Sequence, residues 1–320
     1  MASTPSRPYP PTKRLAVAGS YLYSTPIEGL LRARLPDWEI VRSTEAAARE
    51  ASVAVCWDQP AGTWAHLRGV RLIHSIGAGV DNLLRDGTLP PDVPVCRVVD
   101  TAHAQRMVEY ALWGTLHFHR GFDIALRNQR QGQWQRPPNR AAQDIVVGIM
   151  GLGRIGSAIA EALVHQRYRV RGWSRSARLL DGVEVFAGDG QLDAFLDGLE
   201  VAICVLPLPP STQGILGAPL FQRMTPGAKL IHCGRGPHLV EDDLIAALDS
   251  GQLGGALVDV FEKEPLPVGH RLWEHPRLIV TPHMAAVLPM QAVVGQIADN
   301  VERLLADRPL LNEVDRAAGY

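Results

Sequence analysis

The apolar run at residues 145–150 is followed at once by Gly151-Leu-Gly153-Arg-Ile-Gly156, and apolar side chains then recur at helical spacing through Ile159, Leu163 and Val164. No other feature constrains the chain as much. Glycines at this spacing permit a tight turn, a close backbone approach and close packing of a helix on a strand. The amino end of such a helix aims unpaired N–H groups and the positive end of its dipole outward, which suits a pyrophosphate. The candidate contacts are Gly151, Gly153, Arg154, Ile155 and Gly156. A glycine turn without a ligand is the plainer alternative, and the strand before and helix after it are what favour a dinucleotide.

Short apolar runs at 15–18, 53–57, 72–75 and 93–96 alternate with helical patterns, as βα units around a parallel sheet do. Residues 102–134 change character, with Met107, Tyr110, Ala111, Leu116 and Phe118 spaced for a helix and no proline before Pro137. They read as one long helix and a polar arm that cross between domains. A second alternating region has predicted strands at 145–150, 168–173, 201–206, 228–232, 255–260 and 278–281, with helices from Arg154 and over 241–249. This again argues a doubly wound parallel sheet. Residues 289–307 form a further helix pattern, and 312–320, too short for a domain, are expected to return onto the first region.

Composition supports two domains and narrows their partners. A chain of 320 residues fits about two cores. With 32 basic against 33 acidic residues there is no electrostatic reason to expect nucleic acid or an anionic membrane. Cys56, Cys96, Cys204 and Cys233 are far apart and lack zinc-ligand spacing, so no metal is expected and the thiols read as reduced, in a cytoplasm. Residues 1–12 have no apolar core of a signal peptide and read as a frayed tail. The longest uncharged stretches, 201–222 and 278–298, are broken by prolines and suit no bilayer span.

Choice of dinucleotide is made at the end of the second strand, where a carboxylate about 20 residues on would bind the ribose hydroxyls of NAD. Here that position holds Ser174-Arg175-Ser176, with Arg178 close behind and no acid. A guanidinium and two hydroxyls suit a 2′-phosphate better, so NADP is preferred and NAD is the alternative. A solvated surface role for Arg175 is the plainer possibility.

Three later segments hold ionisable groups, each just after a predicted strand: His232-Cys-Gly-Arg235-Gly, Asp259-Val-Phe-Glu-Lys-Glu264-Pro and Thr281-Pro-His283-Met. Singly, each has a structural reading: an ion-pair arginine, a turn acid before proline, a loop histidine. Together, after the glycine turn, they resemble the D-2-hydroxyacid dehydrogenases, whose catalytic Arg, Glu and His occupy GRG, DVFxxEP and TPHxA segments in this order. Trp173-Ser-Arg-Ser176, Val240-Glu-Asp-Asp-Leu244, Leu272-Trp-Glu-His-Pro276 and Val314-Asp-Arg-Ala-Ala-Gly-Tyr320 resemble the bacterial glyoxylate/hydroxypyruvate reductases of the A type.

The resemblance implies two Rossmann-like doubly wound parallel-sheet domains. A substrate (flavodoxin-like) domain would comprise residues 1–100 and 290–320, with an NAD(P)-binding domain, 101–289, inserted into it. It further implies a homodimer and NADPH-dependent reduction of a small 2-oxo acid such as glyoxylate or hydroxypyruvate. Arg235 would bind the substrate carboxylate and carbonyl, His283 would be the general acid/base, and Glu264 would orient His283 and favour its protonated form. Asp259 would meet the nicotinamide carboxamide, and Leu206, Pro207, Thr212, Cys233, Gly234 and Ala285 would complete the cofactor site. Ala78 and Gly79, in the loop Ser75-Ile-Gly-Ala-Gly-Val80-Asp81, would hold the carboxylate, and Trp57 would line the pocket unless it is a core residue. Two residues depart from the family's pattern: His232 stands where Asn is common, and Arg167 where Gly often precedes the second strand. The alternatives are a reductase for a bulkier substrate of the phenylpyruvate type, or a nucleotide-sensing corepressor-like protein.

Overall fold

Strands buried on both faces read as short uncharged runs, and the amino-terminal region is built on them. The computed structural model describes residues 12–19, 21–100 and 102–316; the predicted amino-terminal tail, apart from Thr12, and the last four residues lie outside these. In chain order the first elements are β1 (Arg14–Gly19), α1 (Tyr21–Arg34), β2 (Glu39–Arg42), β3 (Val53–Trp57), β4 (Leu72–Ser75), α2 (Asp81–Leu84) and β5 (Val95–Cys96). They form a five-stranded, wholly parallel sheet in the order β2-β1-β3-β4-β5.

The next elements are α3 (His103–His119), α4 (Phe122–Arg130), β6 (Val146–Met150), α5 (Arg154–His165), β7 (Arg169–Ser174), β8 (Val183–Ala187), α6 (Leu192–Leu196), β9 (Val201–Cys204), α7 (Ala218–Phe221), β10 (Ala228–His232), α8 (Glu241–Ser250), β11 (Leu253–Val258) and β12 (Leu278–Val280). Their seven parallel strands run β12-β11-β10-β9-β6-β7-β8. The order reverses between β6 and β9, where open α/β sheets bind ligands. Ile159 and Leu163 of α5 and Met107 and Ala111 of α3 cover one face of this sheet, and Phe195, Phe221, Leu244 and Leu248 cover the other.

The final helix, α9 (Met290–Leu305), belongs with the first sheet. Its Val293, Ile297 and Val301 share a core with Ile27 and Leu31 of α1 over Leu15 and Val53. Residues after it return as anticipated: Cys96 and Glu313 form an antiparallel bridge, and Val314 N–H donates to Val95 O at 2.8 Å. The chain thus divides into two compact units, Met1–Thr101 with Leu288–Tyr320, and Ala102–Val287.

Some expectations fail for local reasons. The long helix breaks at Gly121, whose φ of +66° turns the chain into α4 and whose missing side chain makes room for Pro137. β2 and β8, unread in the sequence, are sheet edges, and their sequences EIVR and VEVFA carry the charges that edges tolerate. Arg167 adopts φ +64°, so the turn keeps the left-handed form that glycine usually supplies.

Two buried histidines make stability acid-sensitive. Burial pushes His74 of β4 down to about 4 and His232 at the end of β10 down to about 3, from an ordinary 6.5. Both are neutral when folded, so below 6.5 the unfolded chain binds more protons and folding stability falls as pH drops. Each histidine costs about 1.4 kcal/mol per pH unit there, roughly 2 kcal/mol at pH 5. Thermal unfolding should therefore show a lower Tm at pH 5 than at pH 7, with part of the drop removed in His74→Leu. Equal values at both pH would contradict neutral burial.

Candidate active site

The glycine turn leaves β6 at the switch point and opens α5, a helix of 12 residues. Gly151 has φ +105° and lies against the backbone of Val205 and Leu206. A Cβ on Gly156 would sit 1.8 Å from Gly151 O, so no side chain fits between helix and strand. A Cβ on Gly153, by contrast, would meet nothing within 4 Å, and no side chain caps the helix there. The backbone is open at the amino end of α5, as a pyrophosphate requires. Ser174 ends β7 and its hydroxyl donates to Ser176 O at 2.8 Å, while Arg175 and Ser176 are exposed. These residues fit a dinucleotide carrying a 2′-phosphate.

The remaining groups stand on the loops after β9, β10, β11 and β12, at the same carboxyl edge. Gly234 is closely packed: a Cβ there would lie 3.1 Å from His238 Nδ1 and 3.3 Å from Leu206 O, tighter than an ordinary contact. Gly236 touches the backbone of Phe261, whose O would be 1.9 Å from a Cβ there. Two glycines thus press the Arg235 segment against the β9 loop on one side and the β11 loop on the other.

Glu264 and His283 form a direct pair. Glu264 Oε2 lies 2.7 Å from His283 Nδ1, and Oε1 accepts from Phe261 N–H at 2.9 Å. Both side chains remain about a third exposed, at 27% and 32%. His283 has φ +50°, a conformation that costs a non-glycine residue roughly 1–3 kcal/mol.

Asp259 holds that conformation. Its Oδ1 accepts from the Thr281 hydroxyl at 2.6 Å and Met284 N–H at 2.8 Å, its Oδ2 from Ala285 N–H at 2.9 Å, and its own carbonyl from His283 N–H at 2.9 Å. Because Thr281 spends its one hydroxyl proton on Asp259, Tyr110 must donate to Thr281, at 2.6 Å. Burial pushes the Asp259 carboxyl up, against the lowering effect of these donors.

Of the other sequence candidates, Leu206 abuts Gly151 and Gly234, and Thr212 donates to Pro207 O at 2.9 Å, which folds the β9 loop. Cys233 is a buried thiol that burial pushes well up. In the other unit, the Trp57 indole lies where a Cβ of Gly77 would be, so it packs on the glycine loop. That loop's carbonyls are tied back: Val98 N–H donates to Gly77 O at 3.2 Å and Arg97 to Ala78 O at 3.3 Å. Among the described residues no hydrogen bond shown uses the N–H of Ala78 or Gly79.

Sequence reading missed Tyr110 and His238. In the sequence Tyr110 is one apolar residue of a helical stripe, and nothing in that stripe marks its hydroxyl. His238 stands three residues after Arg235, the spacing at which a side chain reaches back to cap a turn, and that signal was present.

The chain is similar to known proteins over most of its length. Residues 112–285 match the family model described as D-isomer specific 2-hydroxyacid dehydrogenase, NAD binding domain. Glyoxylate/hydroxypyruvate reductase A of Serratia proteamaculans is 43% identical over 296 residues, 91% of this chain and 94% of that protein. A crystal structure of a D-isomer specific 2-hydroxyacid dehydrogenase family protein from Klebsiella pneumoniae is 43% identical with a TM-score of 0.85, covering 95% of this chain and 97% of that one. The NADPH-dependent glyoxylate/hydroxypyruvate reductase of Sinorhizobium meliloti, in complex with NADP and sulfate, is 33% identical with a TM-score of 0.81 over 96% of this chain and 99% of that one. A likeness that spans nearly the whole chain, over the glycine turn and the Glu264–His283 pair alike, makes this protein a member of the D-isomer-specific 2-hydroxyacid dehydrogenase family, a nicotinamide-dinucleotide oxidoreductase.

Proposed function

We propose that the protein reduces a small 2-oxo acid, such as glyoxylate or hydroxypyruvate, to the D-2-hydroxy acid with NADPH. The observation that carries this reading is the Glu264–His283 pair, fixed by Asp259 at the sheet edge that also bears the glycine turn. When bound, the reduced nicotinamide supplies the hydride that the carbonyl carbon receives. Arg235 binds the carboxylate and polarises the carbonyl, stabilising the negative charge that grows on oxygen. His283 delivers the proton to that oxygen from Nε2, since Nδ1 is engaged by Glu264. Asp259 has one lone pair of Oδ2 left for a carboxamide N–H. The amides of Ala78 and Gly79 are assigned to the substrate carboxylate, and Trp57 to the shape of that loop. Exposed Trp113 and Phe122, joined through the His117 ring, form an apolar face on α3 and α4 that suits a second copy of the chain. No helix among the described residues is long and apolar enough to cross a membrane.

A panel of glyoxylate, hydroxypyruvate, pyruvate and phenylpyruvate, followed by loss of NADPH absorbance, tests the reading. Turnover should be fastest with the small acids. No turnover with any of them, together with tight NADPH binding, would favour a sensor instead. In the same assay Arg175→Ala should raise KM for NADPH roughly ten- to a hundredfold, the worth of a charge-assisted hydrogen bond, and leave NADH unaffected. An unchanged preference would remove Arg175 from the 2′-phosphate site.

A further inference from the structure

His232 and His238 face each other edge to face, ring centroids 5.8 Å apart, beneath the segment that carries Arg235, and both are fully buried. Their hydrogen bonds converge on one residue. Arg235 N–H donates to His238 Nδ1 at 3.1 Å, and His232 Nε2 lies 3.1 Å from Arg235 O. His238 Nε2 lies 3.0 Å from Pro207 O, which also accepts from Thr212. Partner chemistry sets both tautomers: His238 must carry its proton on Nε2, because Nδ1 accepts, and His232 must carry its own on Nε2, because a carbonyl only accepts.

We propose that His232 and His238 are positioning residues for Arg235, two neutral imidazoles that hold both polar groups of its peptide backbone and so fix where the guanidinium is presented. The proposal rests on the reading of Arg235 as the group that binds the 2-oxo acid. The backbone at Arg235 is extended, with φ −140° and ψ 139°; the close packing of Gly234 and Gly236 fixes its two flanks, and these bonds hold its own N–H and C=O. His238 also joins the Arg235 loop to the loop after β9, so two loops of the sheet edge move as one.

Stability alone does not account for histidine at position 232. Its Nδ1 is buried with no partner, a cost that a leucine of similar volume would avoid. Arg235 O would not be orphaned by that change, because it also accepts from His238 N–H at 3.0 Å. What leucine lacks is the Nε2 donor. The same two histidines and Cys204 have ligand atoms within 4.8 Å of one another, a spacing that invites a metal ion. Both nitrogens of His238 are already engaged, so binding a cation would break the hold on Arg235 or on Pro207. We therefore assign the cluster to positioning.

The test is steady-state kinetics with thermal unfolding on the full chain, using His232→Leu, His232→Gln and Arg235→Ala. His232→Leu should lower kcat/KM for the 2-oxo acid by about ten- to a hundredfold, the scale of a misplaced binding group. Its Tm at pH 7 should be unchanged or higher, and Kd for NADPH unchanged within about twofold, well below the scale of a lost contact. His232→Gln, whose amide nitrogen falls near Nε2, should restore most of the loss. In the Arg235→Ala background His232→Leu should have no further effect. A fall in Tm and NADPH affinity alongside activity, or failure of Gln to restore it, would overturn the proposal in favour of a packing role. If Arg235→Ala is inactive while His232→Leu has parental kinetics, positioning fails and the reading of Arg235 stands. If Arg235→Ala is itself active, that underlying reading fails first.

Discussion

His283→Ala is expected to lower kcat/KM for 2-oxo acid reduction by about 10²–10⁴, the usual worth of a positioned general acid. The loss should fall on kcat, because the proton is needed only as charge develops on the carbonyl oxygen. Arg235→Ala should cause a loss of similar size that appears in KM as well, since its guanidinium meets the carboxylate in the ground state too. Glu264→Gln separates proton chemistry from geometry. It retains the reach to Nδ1, 2.7 Å in the native pair, but removes the negative charge beside the ring. Reduction needs the proton only as charge develops on the carbonyl oxygen, so the loss in Glu264→Gln should fall on kcat and leave Kd for NADPH unchanged. Near-parental activity in His283→Ala would end the assignment. A parental kcat in Glu264→Gln would show that the charge of the carboxylate does not assist the acid.

The second large effect is expected at the glycine turn, where two substitutions of the same size should behave differently. Gly156→Ala places a methyl 1.8 Å from Gly151 O, so α5 must move by more than an ångström away from β6. Overpacking of this kind costs about 1–3 kcal/mol, and displacement of a binding element by an ångström costs about a hundredfold in rate. Both Tm and NADPH affinity should fall. Gly153→Ala meets open space, and its backbone at φ −71° suits any residue, so Tm should hold. NADPH should still bind more weakly, because the methyl stands where the pyrophosphate approaches. If Gly156→Ala keeps parental Tm and affinity, the close packing of helix on strand is not what shapes the site.

Much of the site was readable because its determinants are local. The turn from Gly151 to Gly156 is legible from three glycines between an apolar run and a helical period, and the GRG, DVFxxEP and TPHxA segments each announce a strand end. The edge strands β2 and β8 were not legible, since half-exposed strands lack the continuous apolar runs that buried ones show. The break at Gly121 was obscured by the apolar spacing on either side of it. Asp259 could be located in the sequence but its work could not, because three of its partners, Thr281, Met284 and Ala285, lie more than 20 residues away.

The sequence by itself determined the α/β class, the position of the dinucleotide turn and the identity of the ionisable groups. Periodicity and glycine geometry are properties of a few consecutive residues. Tertiary structure alone decided that α9 packs with α1 over the first sheet, that Tyr110 completes a proton-donor chain to Asp259, and that two buried histidines grip Arg235. Each of these depends on groups brought together by parallel strands ending at one edge or by helices sharing a core. Contacts of that kind leave no spacing along the chain from which they can be read.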